Sequence, residues 1–232
     1  RRSDSRSSGV HDKAHSGNKM SPARYFVPTY GGPLMTAVRF RREYLGEHSV
    51  FARHHLPSWT TAGVGGIVVH VNSLVDVATV LTEIEEAPER LGLADSPDTL
   101  DAIVRSGRTA LMLCASYDDV GPNPDLLAVY ERVGAVSFAM SLNSRNLLVD
   151  GCAELTQSGL SAQGIRVVKS LSERGILIDV SHISDTGYWY VLKTVEGGVF
   201  ASHHYARARA ANPPKPTSDT PSAMDRDVRT RR

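Results

Sequence analysis

The 232-residue sequence predicts an α/β protein built on a parallel β-sheet, and two observations support this prediction. Short, nearly continuous apolar runs recur along the middle of the chain, which is the pattern of strands covered on both faces. The segments between these runs have apolar residues at helical spacing, and such alternation is typical of parallel α/β architectures. The candidate strands are residues 25–30, 67–72, 109–115, 136–141, 175–181 and 197–202.

The candidate helices between these strands carry start and stop signals. Ser96 is a candidate N-cap with Pro97 at the first helical position, and Pro124 precedes another helix start. Ser184 is a candidate N-cap as well, and Gly175 follows a helix as a candidate C-cap. The candidate helices are residues 75–91, 97–106, 125–133, 161–174 and 185–195.

The two ends of the chain differ in composition from the middle. Residues 1–23 are rich in Ser, Arg, Gly and Lys, and residues 211–232 are rich in Pro and then in charge. Segments with so few apolar residues cannot bury enough surface to fold, so both ends are predicted to be disordered. The remaining residues, 24–210, are predicted to form one domain, which the resemblance given below makes a partial barrel.

Composition excludes several classes of protein. The 26 basic and 25 acidic residues nearly cancel, so charge gives no reason to expect nucleic acid as a partner. The chain has no apolar run of about 18 residues, the length that predicts a membrane segment. Two cysteines cannot form a disulfide framework, and the N-terminal arm lacks the apolar stretch of a secretory signal. A reduced, cytoplasmic location is therefore expected.

Two of the nine histidines end apolar strands and are candidate metal ligands. His182 closes the run ILIDVSH, and His203 closes the run GVFASH. The carboxyl ends of parallel strands meet on one edge of the sheet, and neutral imidazole is a common metal ligand. The alternative is that the two rings only hydrogen-bond loop carbonyls. His70, inside the run IVVHVN, is expected to be a core residue, and the histidines at 48, 54 and 55 are expected to lie in a polar connection.

The alternation alone does not decide between a doubly wound sheet and a barrel, but the histidine segments resemble a known family. GLSAQGIRVVKSLSERGILIDVSHIS and SHHYARA resemble the two histidine motifs of the membrane (renal) dipeptidase family. Three further segments are similar to other parts of that family: RSGRTALMLC, AGVGGIVVHV and SLNSRNLLVDGC. The resemblance extends over about residues 24–219.

The resemblance implies a (β/α) TIM-type barrel of the metal-dependent hydrolase class, with about six of the eight βα units present. It also implies zinc as the cofactor, a dipeptide as the substrate and metal-bound hydroxide as the nucleophile. Six strands cannot close such a barrel. The expected explanations are a fragment, a decayed copy, or a domain completed by a partner, with a homodimer as one possibility.

Carried over residue by residue, the family's metal ligands match at His182 and His203. Tyr30 and Gly32 stand where the family has an H-x-D motif, and Ser116 stands at the bridging glutamate. Asp118 and Asp119 are candidate substitutes for that glutamate if their loop bends back.

The candidate substrate-binding residues lie after the fourth strand and near the tail. The family's substrate-carboxylate arginine falls on Pro214, next to a lysine. The candidates are Asn143, Arg145, Asn146 and Lys215.

Three hypotheses of function follow. The first is a dipeptidase-like zinc metallohydrolase that acts on a dipeptide or another small amide. The second is a catalytically inert homologue that binds a small molecule or a partner subunit, because most of the metal ligands are replaced. The third is an unrelated doubly wound protein with incidental histidines.

Overall fold

A computed structural model of the protein describes Val27 and residues 34–156 and 158–203. A six-stranded sheet forms its centre, and every strand pairing in it is parallel. The strands are β1 (Gly66–Val71), β2 (Leu91–Leu93), β3 (Thr109–Ser116), β4 (Ala135–Ala139), β5 (Leu177–Asp179) and β6 (Val199–Phe200). The parallel α/β prediction is confirmed for this part of the chain.

The sheet order is β1-β3-β4-β5-β6, with β2 also paired to β3. β1 pairs with one edge of β3 from Ala110 to Ala115. β2 and β4 therefore both pair with the opposite edge of β3, β2 along its first residues and β4 along its last ones. β2 was not predicted because a three-residue strand is too short to give a period. The candidate helix at 75–91 is wrong at its end, since that helix stops at Glu85 and β2 begins at Leu91. The candidate strand 25–30 lies outside the described residues except for Val27.

The five candidate helices each begin within one residue of the predicted start, and three further α-helices of the described residues were not predicted. The α-helices are α1 (Leu34–Leu45), α2 (Leu56–Thr61), α3 (Leu74–Glu85), α4 (Pro97–Arg105), α5 (Tyr117–Val120), α6 (Leu126–Arg132), α7 (Ala162–Glu173) and α8 (Asp185–Thr194). Ser96 accepts a hydrogen bond from Thr99 N, and Ser184 accepts one from Gly187 N, so both predicted N-caps are confirmed. Such caps satisfy amide groups that have no partner within the helix.

The segment before β1 is more ordered than the sequence suggested. A π-helical turn, Phe51–His55, leads directly into α2. The expectation that His54 and His55 lie in a polar connection is therefore wrong. Phe51 and Leu56 are buried in the main core, so this segment is anchored at both ends.

The two faces of the sheet carry separate cores, because alternate residues of a strand point to opposite faces. Ile67, Val69 and Val71 of β1 pack in the larger core, together with buried residues of α1, α3, α7 and α8. Val68 belongs to a smaller core on the other face, which includes Ile103 of α4. The residues of the site described below lie at or just beyond the carboxyl ends of β4, β5 and β6.

The predicted arm, 1–23, and tail, 211–232, lie outside the described residues, so the domain boundaries remain predictions. Within the described ranges, no helix combines the length and apolar character that a membrane crossing requires. Cys114 is buried and Cys152 is exposed, and both are free thiols.

Candidate functional site

His182 and His203 meet just beyond the carboxyl ends of β5 and β6. Their Nε2 atoms are 2.6 Å apart, and their ring centroids are 4.6 Å apart. The two nitrogens are within hydrogen-bonding distance, and one of them must carry a proton if they share a hydrogen bond. The two histidines that the sequence singled out thus lie at one point of the sheet edge.

A loop that follows β4 holds His182 from one side. Asn143 Oδ1 lies 2.9 Å from His182 Nδ1, and an amide oxygen only accepts, so His182 Nδ1 donates to it. The backbone N of Cys152 donates to the carbonyl of His182 at 2.7 Å. His182 has a positive φ of 64°, a conformation that costs a non-glycine residue about 1–3 kcal/mol. The contacts with the loop stabilise this conformation.

The ring of His203 is held through its own outer nitrogen. His203 Nδ1 lies 2.7 Å from Ser202 Oγ, and Ser202 Oγ donates to Asp179 Oδ2 at 2.5 Å. Metal-binding histidines generally have their second ring nitrogen fixed in this way, which sets the orientation of the ring. Both imidazoles of the pair have that arrangement, so both Nε2 atoms are directed to the same place.

Electrostatics favour the neutral form of His182. Burial lowers the pKa of His182, and the nearby Asp179 carboxylate opposes this shift by attracting the charged form. Burial likewise lowers the pKa of His70, again against Asp179. The neutral imidazole is the form that binds a metal ion. His70, expected as a core residue, is partly buried and lies close enough to Asp179 for this charge to act on it.

The other candidate substrate-binding residues of this loop hold the loop together. Arg145 donates to both carboxylate oxygens of Asp150, at 2.6 and 3.1 Å, and also reaches Thr156. Asn146 donates to the Met140 carbonyl and accepts from two backbone amides. Among the described candidates, Asn143 therefore contacts the histidine pair, and Lys215 lies outside the described residues.

The end of β3 does not bring a carboxylate to the pair. Ser116 caps the short helix α5, where its hydroxyl accepts from Asp118 N and donates to Asp118 Oδ2 at 3.3 Å. Asp119 accepts from the Tyr130 hydroxyl at 3.0 Å and from Leu74 N at 3.1 Å, so it is turned toward α3 and α6. Tyr30, Gly32 and Pro214 lie outside the described residues.

The described residues supply two of the roughly four ligands that a tetrahedral zinc ion needs. Nitrogen ligands of a tetrahedral zinc ion, bound at about 2.0–2.1 Å, are about 3.3 Å apart, so the two rings would have to separate by about 0.7 Å. In the described part of the chain, no three His, Cys, Asp or Glu side chains form a group that could hold a metal. His182 and His203 therefore supply two ligands, and the remaining positions are not filled by described residues.

Asp179 and Ser202 are the site residues that sequence reasoning missed. Both stand in the same strings as the histidines, at IDVSH and ASH, inside the runs that predict strands. Asp179 could have been predicted as a site residue, because it is a charged residue in an apolar strand three positions before a candidate ligand. Charged side chains are rarely buried without partners.

Two solved structures are similar to the chain in fold. The metallopeptidase called dipeptidase AC superposes with a TM-score of 0.67 at 15% identity, over 78% of this chain and 63% of that one. A Rhodobacter sphaeroides metallopeptidase, solved with a phosphinate mimic of the dipeptide L-Ala-D-Ala, gives 0.64 at 14% identity, over 76% and 63%. The described sheet is thus part of a barrel of the TIM type, as the predicted fold class requires.

The sequence has curated relatives as well. Dipeptidase verJ of Clonostachys rogersoniana is 28% identical over 134 residues, which are 56% of this chain and 34% of that protein. The chain therefore spans about a third of the length of this relative. The family model described as membrane dipeptidase, peptidase family M19, matches residues 48–217, well over half of the chain. The chain belongs to the membrane dipeptidase family.

Proposed function

We propose that the chain is a dipeptidase-like metallohydrolase that acts on a dipeptide or another small amide, with zinc bound by His182 and His203. The observation that carries the proposal is the meeting of two imidazoles whose outer nitrogens are both held. The chemistry that zinc supplies when bound is polarisation of the amide carbonyl and acidification of a water molecule.

The chain's own residues have distinct parts in this proposal. His182 and His203 bind the metal through Nε2, in the neutral form that burial favours for His182. Asn143 fixes the ring of His182, and Ser202 fixes the ring of His203. The remaining coordination positions are left to water, to substrate or to residues beyond the described ranges.

A dipeptide is the proposed substrate on two grounds. The chain belongs to a family named for its dipeptidase members, and the similar Rhodobacter sphaeroides protein was solved with a mimic of a dipeptide. Asn143 is the proposed substrate contact among the described candidates, because its loop borders the histidine pair. Arg145, Asn146 and Lys215 stay predictions, as does a cytoplasmic location.

A specific observation favours a second candidate, the catalytically inert homologue. The two Nε2 atoms are closer than two ligands of one zinc ion, and the described residues supply no third ligand side chain. Gly32 has no side chain and Ser116 caps a helix, so neither replaces the family's carboxylates. In this candidate, the same sheet edge binds a small molecule without cleaving it.

Zinc content and hydrolysis of L-Ala-D-Ala, measured together, separate the two candidates. The purified chain is dialysed with zinc, freed of excess metal and analysed next to His182→Ala and His203→Ala. His48→Ala is the matched control, because the His48 side chain is 75% exposed and contacts Glu86 at a distant surface. The proposal expects bound zinc and hydrolysis in wild type and control and loss of both in the two site variants. Zinc-free, inactive wild type would favour the inert homologue.

A further inference from the structure

Asp179, the last residue of β5, has a buried carboxylate that links the ends of two strands. Its exposed fraction is 1%. The pairing of β5 with β6 ends with Asp179 opposite Phe200 and a hydrogen bond from Val180 N to the Phe200 carbonyl. Beyond that point, Asp179 Oδ1 accepts from Ser181 N at 2.9 Å and from Ser202 N at 3.1 Å. One carboxylate oxygen thus binds the backbone of both strand extensions.

The second carboxylate oxygen of Asp179 is linked to the ring of His203 through one side chain, that of Ser202. Asp179 Oδ2 accepts from Ser202 Oγ, and Ser202 Oγ contacts His203 Nδ1. The backbone N of His203 donates to Ser181 Oγ at 3.1 Å, and Ser181 is itself bound by Asp179. Both the backbone and the ring of His203 are therefore held by groups that Asp179 orients.

We infer that Asp179 is a positioning residue that sets the ring of His203 against the ring of His182, and that it is not itself a metal ligand. Both of its oxygens are directed at N–H and O–H donors of the strand ends. The inference rests on the proposed function for its consequence, since a fixed pair of rings matters most if the pair binds a metal. Its structural content can be tested without metal.

Asp76 provides a matched control for this inference. It is another buried aspartate, 4% exposed, and its Oδ2 accepts from the backbone N of Asn72 at 2.9 Å. It lies at the start of α3, and its described partners do not include either site histidine. Both Asp76→Asn and Asp179→Asn should destabilise the fold, because each removes a buried charge-assisted hydrogen bond. Asp76→Asn should leave the contacts of the histidine pair unchanged.

The test is a nuclear Overhauser experiment on the ring protons of the metal-free chain. Wild type should show a cross-peak between the rings of His182 and His203, identified by its absence in His203→Gln. Asp179→Asn keeps one accepting oxygen but cannot accept from Ser202 Oγ with its amide nitrogen, so the cross-peak should be lost. Ser202→Ala removes the link to His203 without changing the buried charge and should lose it too. Asp76→Asn should keep it.

A cross-peak that survives in Asp179→Asn, or one that Asp76→Asn also loses, overturns the inference. If Asp179→Asn does not fold, Ser202→Ala decides alone, with retention of the cross-peak as the overturning result. Titration with zinc adds a second readout, because changing a residue that orients a ligand typically weakens metal binding about 10–100-fold. A wild type that binds no zinc but shows the expected cross-peak pattern would refute the proposed function and leave the positioning role intact.

Discussion

Glu86, next to the end of α3, joins three segments of the chain through its carboxylate. Arg42 of α1 donates to both of its oxygens, at 2.8 and 2.9 Å. Ser49 N donates to it at 2.5 Å, and His48 Nδ1 lies 3.0 Å from it. These contacts connect α1 to α3 and to the segment before the π-helical turn, so they should contribute measurably to the stability of this side of the fold.

The contribution can be worked from the pKa. Hydrogen bonding to Arg42 lowers the pKa of Glu86 from 4.5 to about 2, with burial opposing this shift. A depression of this size corresponds to about 3 kcal/mol of stability if the unfolded chain has the ordinary value. Because the folded pKa is the lower one, this stability is fully present above pH 4.5 and is lost as the pH falls toward 2.

Glu86→Gln is therefore expected to lower the free energy of unfolding by up to about 3 kcal/mol at pH 7. The difference from wild type should shrink between pH 4.5 and pH 2. Urea unfolding followed by circular dichroism at several pH values measures it, with the exposed neighbour Glu85→Gln as control. A destabilisation that is independent of pH, or equal in the control, would refute the reasoning.

Two further predictions concern the site loop and the thiols. A Cβ at Gly151 would overlap the backbone carbonyl of Asn143, and overpacking of this kind costs about 1–3 kcal/mol or more of stability. Gly151→Ala should therefore lower the melting temperature and disturb the loop that holds the histidines. Gly197→Ala meets only ordinary contacts and should melt like wild type, and equal melting of both variants would contradict this account. Iodoacetamide should modify the exposed Cys152 in the native chain and Cys114 only after unfolding, because burial raises the pKa of Cys114 to about 12 and shields it. Mass spectrometry reports both, and early labelling of Cys114 would show that the core is open.

The strands could be predicted where burial on both faces leaves a long apolar run. Thr109–Ser116 is buried along its whole length, and its run was found almost to the residue. Leu91–Leu93 was missed because its three residues pair with the start of β3, a contact that no local pattern encodes. Helix α1 was missed because two of its residues, Met35 and Val38, are buried, which leaves a weak apolar stripe.

The site could be predicted only in part. Strand-end position was sufficient to pair His182 with His203, because the carboxyl ends of neighbouring parallel strands converge. Sequence could not show that Arg145 is bound to Asp150 five residues away while Asn143 reaches His182 across the fold. Which polar residue of a loop faces a site depends on backbone geometry that the loop sequence does not specify. Asp179 was hidden for a related reason, since its partners include Ser202, which lies just beyond the next strand.

X-ray absorption spectroscopy of the zinc-loaded chain tests the central claim most directly, because it reports the atoms bound to the metal. If His182 and His203 bind the metal, the spectrum should show scattering from two imidazole nitrogens at about 2.0–2.1 Å, with no sulfur at about 2.3 Å. In His182→Ala, zinc at this site should be lost. A chain that takes up no zinc, or zinc bound through sulfur and unaffected by His182→Ala, would contradict the assignment of His182 and His203 as metal ligands.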